Sequence, residues 1–271
     1  MLFRLSTGPH PSRTCSRSHL MSRHALVTGA GTGIGAAIAK QLHGEGCNVS
    51  LVGRRLEPLA AVAETLGGAC QAITGDVTDR ESVEKSFIQA NDKFGPVEIL
   101  INCAGVAPTA PFHRIEFADW QKTLDVNLNG VFHCTQVALD GMKSAGWGRI
   151  VTIASTASLR GFAYVSGYCA SKHAALGLTR ALALETARSG ITVNAVCPSY
   201  VDTDIVREAI QDIMTKTGRS EAEALKHFTQ SSPQGRLIEA SEVAASVSWL
   251  CSENAASVTG QAIAIDGGST A

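Results

Sequence analysis

Paired cysteine motifs are missing from this 271-residue chain. Its eight cysteines, at 15, 47, 70, 103, 134, 169, 197 and 251, never fall within four positions of one another. That spacing excludes a C-x-x-C zinc or redox pair, and no metal is expected. Thiols scattered through apolar runs read instead as reduced core residues of a cytosol-like compartment. An excess of one charge sign is missing too: 23 basic side chains face 24 acidic ones. A nucleic-acid binder would carry a basic stripe, so no nucleic-acid partner is expected. No apolar run approaches the roughly 20 residues of a membrane helix, so no membrane partner is expected either. There is no Gly-Lys-Ser/Thr, which excludes a P-loop.

Acids are absent from the first 44 residues; the first is Glu45. Residues 1–22 carry Arg4, Arg13 and Arg17 among serines and threonines, a composition like that of an organelle transit peptide. Met21 stands directly before the first strand, so a dispensable extension is the favoured reading. A cytoplasmic location follows, with organellar import the alternative should the extension be genuine.

What remains is rich in core. Apolar residues make up 45% of the chain and charged residues 17%. From His24 onward, short apolar runs alternate with amphipathic stretches. Strands are expected at 25–28, 48–52, 69–74, 99–102, 149–153, 192–196 and 262–265. Helices are expected at 34–45, 57–66, 81–94, 120–145, 168–189 and 241–252. Runs such as Ile99-Leu100-Ile101 are apolar without alternation, as in strands buried on both faces. The rhythm predicts an α/β fold: one doubly wound domain over 23–271, with a parallel sheet of about seven strands and helices on both faces. Only Asp202–Gly235 breaks it, and a lid-like insertion at about 203–235 is expected there.

The first strand runs into Thr28-Gly29-Ala30-Gly31-Thr32-Gly33-Ile34-Gly35. Glycines between a strand and a helix permit a tight turn and close approach of backbone to a pyrophosphate, at which the helix N-terminus points. The pattern T-G-x-x-x-G-x-G resembles the short-chain dehydrogenase/reductase family. Later motifs agree in order: Asp76-Val77, Asn102-Cys103-Ala104-Gly105, Asn127, Ser155, Tyr168 and Lys172 as Y-x-x-x-K, Pro198-Ser199 and Asp266-Gly267-Gly268. Cys103 and Ser199 depart from the family's usual Asn and Gly. The resemblance spans about residues 23 to 271.

An acid at the end of the second strand would hold the ribose diol of NAD. Here Gly53-Arg54-Arg55 occupies that place, and guanidinium groups suit a 2′-phosphate, so NADP(H) is favoured over NAD(H). The resemblance implies a cofactor site of Gly29, Thr32, Gly33, Ile34, Gly35, Arg54, Arg55, Asp76, Val77, Asn102, Ala104, Gly105, Tyr168, Lys172, Pro198, Val201 and Thr203. Tyr168 and Lys172, four residues apart, share one face of a helix, and a nearby ammonium would lower the phenol's pKa of about 10. By resemblance, Ser155 polarises the substrate carbonyl, Tyr168 is the acid/base, Lys172 depresses its pKa and grips the ribose, and Asn127 holds a relay water.

The implied reaction interconverts a ketone and a secondary alcohol. The chain looks most like the 3-oxoacyl thioester reductases, the polyketide ketoreductases and the 3-hydroxybutyrate dehydrogenases. Free hydroxy acids want a buried cation for their carboxylate. Arg160 is the only charge between Ser155 and Tyr168, which favours a thioester or other neutral ketone. The long helices at 120–145 and 168–189 imply a homotetramer or homodimer. A catalytically silent cofactor-binding or sensor protein is the reading from another class.

Overall fold

A computed structural model describes Leu20 and residues 22–271. The expectations for the N-terminal extension fall almost wholly outside the described residues.

Seven strands form one parallel sheet: β1 (His24–Thr28), β2 (Asn48–Gly53), β3 (Cys70–Thr74), β4 (Ile99–Asn102), β5 (Gly148–Ile153), β6 (Ile191–Pro198) and β7 (Ala262–Ile265). Their order is β3-β2-β1-β4-β5-β6-β7. The order reverses between β1 and β4, and a crevice opens beyond the carboxyl ends of the strands at such a point. Strands β1, β4, β5 and β6 are buried along their whole length, which suits their mostly apolar composition.

The helices divide between the two faces. α1 (Gly33–Gly44), α2 (Leu56–Leu66) and α9 (Ala240–Cys251) lie on one. There Ile38, Leu42, Leu59, Val243 and Val247 pack on Val27, Leu51 and Ile101. α3 (Arg80–Phe94), α5 (Gly130–Ala145) and α6 (Ser166–Thr186) cover the other. Val83, Phe87, Cys134, Met142 and Leu182 pack there on Leu26, Leu100 and Ile150. Side chains alternate along a strand, so Leu26 and Val27 feed opposite cores.

The single helix expected at 120–145 is instead three pieces. α4 (Phe117–Leu124) gives way to a π-helical turn at Asp125–Asn129, which leads into α5. Gly130 N–H reaches back to Asp125 O, one residue further than an α-helix allows. Two more helices, α7 (Asp204–Thr217) and α8 (Glu221–Thr229), form the excursion between β6 and α9. Ile210, Ala224 and Phe228 make a small core of their own there. A capping box between Ser220 and Glu223 starts α8. The excursion leaves and returns at one place, where Val201 pairs with Ile238.

Among the described residues no helix is long and apolar enough to cross a membrane. No group of three metal-ligating side chains occurs among them. Their seven cysteines form no disulfide.

Candidate active site

The site is built on the carboxyl rim of the sheet. β1 ends at Thr28, whose Oγ1 accepts from Cys103 N–H at 3.0 Å and Ala104 N–H at 3.1 Å. This hydroxyl ties the loop after β4 to the glycine turn. Two glycines have no alternative. A Cβ on Gly35 would sit 2.2 Å from Gly29 O. One on Gly29, at φ +66, would sit 2.9 Å from the Ala104 backbone. Bare backbone therefore locks the first turn of α1 between β1 and the β4 loop. Gly33 meets the next loop over, because a Cβ on it would lie 3.2 Å from Thr203 Cγ2. The fold thus gathers Gly29, Thr32, Gly33, Ile34, Gly35, Ala104, Gly105 and Thr203 around the start of α1.

That start is made for an anion. Thr32 is the N-cap, yet its side chain makes no capping bond, and the first turn holds no acid. The positive end of the helix and its first N–H groups face the crevice with no competing acceptor. Arg54 and Arg55 follow β2 in exposed positions. Among the described residues neither forms an ion pair with an acid. At the end of β3, Asp76 Oδ1 accepts from Thr78 N–H and Thr78 Oγ1 at 2.9 and 2.8 Å, which fixes the carboxylate beside the rim. A pyrophosphate at the α1 N-terminus and a phosphorylated ribose beside the arginines fit these donors.

Four more of the expected cofactor residues lie on or next to the strand ends and loops of this rim. Asn102 is buried, and its amide donates to Thr135 Oγ1 on α5 at 3.1 Å. Val201 is buried in the core. Val77 is buried, and its carbonyl is bonded by His133 Nδ1 at 3.1 Å. Pro198 lies within β6.

The reactive groups meet on the β5 side. Ser155 follows β5 as N-cap of a short 3₁₀ turn, Thr156–Ser158, its Oγ accepting from Ala157 N–H at 3.1 Å. Tyr168 stands near the start of α6, and its side chain bonds to Ser155. One turn on, Lys172 is buried beneath the tyrosine, its Nζ 5.7 Å from the ring centroid. Lys172 Nζ donates to Ile153 O at 2.7 Å. Gly105 closes the floor: a Cβ there would lie 3.3 Å from Asn127 Oδ1 and 3.7 Å from Lys172 Nζ.

The electrostatics differ from expectation in one respect. Burial pushes the Tyr168 phenol above its ordinary value; the Ser155 bond opposes this but does not prevail. The Lys172 ammonium is itself stripped of water and turned to the Ile153 carbonyl. Burial pulls Lys172 down to about 8.

Asn127 sits within the π-helical turn and is fully buried. Its Oδ1 accepts from Val106 N–H at 2.9 Å, and its Nδ2 donates to Val106 O at 2.8 Å and Ser171 Oγ at 3.0 Å. The side chain is therefore a clasp between the β4 loop and α6. Thr28, Val106 and Ser171 are positioning residues to which sequence reading gave no role of their own. Only Thr28, directly before the first glycine, left a visible trace.

The comparisons agree with this architecture. A family model described as short chain dehydrogenase matches residues 23–213. A putative ketoacyl reductase of Streptomyces coelicolor is 40% identical over 255 residues, covering 91% of this chain and 97% of that protein. A D-beta-hydroxybutyrate dehydrogenase of Rhizobium meliloti is 34% identical, covering 93% and 100%. The crystal structure of an actinorhodin polyketide ketoreductase variant with NADPH superposes with a TM-score of 0.88 at 37% identity, covering 93% and 99%. A 3-ketoacyl-(acyl-carrier-protein) reductase from Brucella melitensis, complexed with NADH, gives 0.84 at 30%, covering 93% and 100%. With the glycine turn, the sheet order and the Ser155–Tyr168–Lys172 grouping in place, the chain belongs to the short chain dehydrogenase family.

Proposed function

We propose that this chain reduces a ketone to a secondary alcohol with NADPH, and that its substrate is a 3-oxoacyl thioester. The observation that carries the reading is the meeting of Ser155, Tyr168 and Lys172 beside an N-terminus of α1 that has neither an acid nor a side-chain cap.

Reduced nicotinamide, when bound, supplies the hydride: one hydrogen and two electrons for the carbonyl carbon. The chain supplies the proton. Ser155 Oγ donates to the carbonyl oxygen and draws electron density from the carbon. As the C=O π bond breaks, Tyr168 Oη gives its proton to that oxygen and is reprotonated from solvent. A phenol held above its ordinary pKa stays protonated at neutral pH, which suits a proton donor and so the reductive direction. Lys172, bonded to Ile153 O, is placed to hold a ribose hydroxyl.

NADP(H) is favoured because Arg54 and Arg55 stand where a diol-binding acid would repel a 2′-phosphate. The likeness to a ketoreductase structure with NADPH supports this, although a similar structure carries NADH. A thioester is favoured over a free acid because Arg160 is exposed, its guanidinium over the Phe162 ring at 4.8 Å, and so offers no buried clamp. The α7–α8 excursion is a lid hinged at Tyr200, whose ring meets Phe228 edge-on at 5.1 Å. Exposed Phe117, Phe132 and Leu184 on α4, α5 and α6 support self-association.

The test is NADPH oxidation with a panel of 3-oxoacyl thioesters and simple ketones. Turnover that falls about 10³-fold in Tyr168→Phe, with NADPH binding unchanged, is expected. Full activity in that variant would refute the assignment.

A further inference from the structure

Tyr168 hangs on the first turn of α6, and that turn receives little help from its own end. Its N-cap, Val165, offers no side-chain acceptor. Ser166, the first helical residue, buries its Oγ without a hydrogen-bond partner. The turn is instead held from outside at two points, both leading to the β4–α4 loop. From one side, Ser171 Oγ donates to Tyr168 O at 2.7 Å and accepts from Asn127 Nδ2, whose side chain clasps Val106. From the other, Ala110 N–H donates to Tyr164 O at 2.9 Å.

Tyr164 makes that second bond from φ +67. Among the described residues, Ser22 is the only other non-glycine with a positive φ. A left-handed backbone brings Cβ against the following carbonyl oxygen and disfavours the conformation by about a factor of ten. The ring does not offset this by burial, because Tyr164 is 62% exposed. Strain of this kind persists only where the surroundings impose it, and it gathers at functional sites. Were φ to relax to a negative value, the Tyr164 carbonyl would swing off Ala110 and the first turn of α6 would lose its outer anchor. We infer that Tyr164 is a positioning residue whose left-handed backbone, and not its ring, aims Tyr168 Oη at the oxygen being protonated. The inference rests on the reading of Tyr168 as proton donor and adds to it the residue that sets the donor's direction.

The test measures kcat and KM separately for Tyr164→Gly, Tyr164→Asn, Tyr164→Phe and Tyr164→Val. The probe is the N-acetylcysteamine thioester of 3-oxobutanoate with NADPH, or the fastest ketone of the panel should that thioester not turn over. Activity should follow tolerance of a left-handed backbone rather than likeness to a tyrosine ring. Glycine and asparagine accept that backbone and phenylalanine repeats the native case, so all three should keep kcat within about twofold. Valine, branched at Cβ, resists it and should lose about tenfold in kcat with KM nearly unchanged, the mark of a misplaced donor. NADPH binding, read by fluorescence, should be unchanged in all four and so report correct folding. Ala110→Pro removes the N–H donor from the other side of the clasp; it should repeat the valine result, and it decides the matter if the valine variant fails to bind NADPH. Loss in glycine and asparagine with retention in phenylalanine would mean that the ring acts, and overturns the inference. A valine variant that melts earlier but keeps full kcat overturns it too, since the role would then be structural. Full activity in Tyr168→Phe, or a wild type that reduces no ketone, overturns instead the proton-donor reading on which the inference rests.

Discussion

Removing the charge of Lys172 should make the protein more stable at neutral pH while abolishing its chemistry. Burial pulls this lysine from 10.5 down to about 8. In the unfolded chain it returns to its ordinary value, so between pH 8 and 10.5 the unfolded state binds more protons than the folded one. Stability of the wild type therefore rises with pH across that window. Below pH 8 both states are protonated, and the folded protein carries the full desolvation penalty of about 3 kcal/mol. Lys172→Met removes that penalty and also the 2.7 Å bond to Ile153 O, whose loss costs about 1 kcal/mol. The variant should gain about 2 kcal/mol at pH 7 and fall about 1 kcal/mol behind the wild type by pH 10.5. Urea unfolding followed by tryptophan fluorescence at pH 7, 8, 9 and 10, at one protein concentration, measures this crossing. Parallel stability curves for the two proteins, or a variant less stable at pH 7, would refute the reasoning.

Four further outcomes are expected. Because Tyr168 is held above its ordinary pKa, alcohol oxidation should climb about tenfold per unit from pH 6 to 8, whereas ketone reduction should show no loss through phenol ionisation there. A reduction rate falling with a midpoint between pH 6 and 7 would mean an acidic phenol. Arg54→Asp should weaken NADPH binding by about 10- to 100-fold, the worth of a charge-assisted pair, and leave NADH nearly untouched; titration of both cofactors decides this. Cleavage within 204–229 by a dilute protease should slow when NADPH and substrate are present, and unchanged cleavage would count against a lid. Light scattering should give a dimer or tetramer mass, and a monomer would contradict the self-association proposed for α4 to α6.

The fold was legible because its signals are local. Short apolar runs announce the strands, and buried Ile99–Asn102 and edge strand Ala262–Ile265 both fall where those runs predict. The interruption at Asp125–Asn129, closed by Gly130 N–H on Asp125 O, was hard to place because apolar spacing continues through it. Its cause is distant: Asn127 is drawn to Val106, twenty-one residues away, and to Ser171, forty-four away. The grouping of Ser155, Tyr168 and Lys172 was readable from spacing and strand ends. The direction of the Tyr168 shift was not, because it depends on how far both groups are stripped of water and on the carbonyl at which the lysine aims. Nor was it legible that Asn102 gives an amide hydrogen to Thr135 on α5, because the last residue of a strand can face either layer.

The excursion of α7 and α8 departs and rejoins the domain at a single clasp, where Asp202 N–H meets Ile238 O at 2.8 Å and Ile238 N–H meets Tyr200 O at 2.9 Å. Its two stems are thus held side by side whatever lies between them. Such a cassette, with its own packed interior, is free to be lengthened, shortened or transplanted from a sister enzyme without disturbing the sheet. New appetites for differently shaped ketones can then be grafted at that seam while the proton-handling machinery below stays as it is.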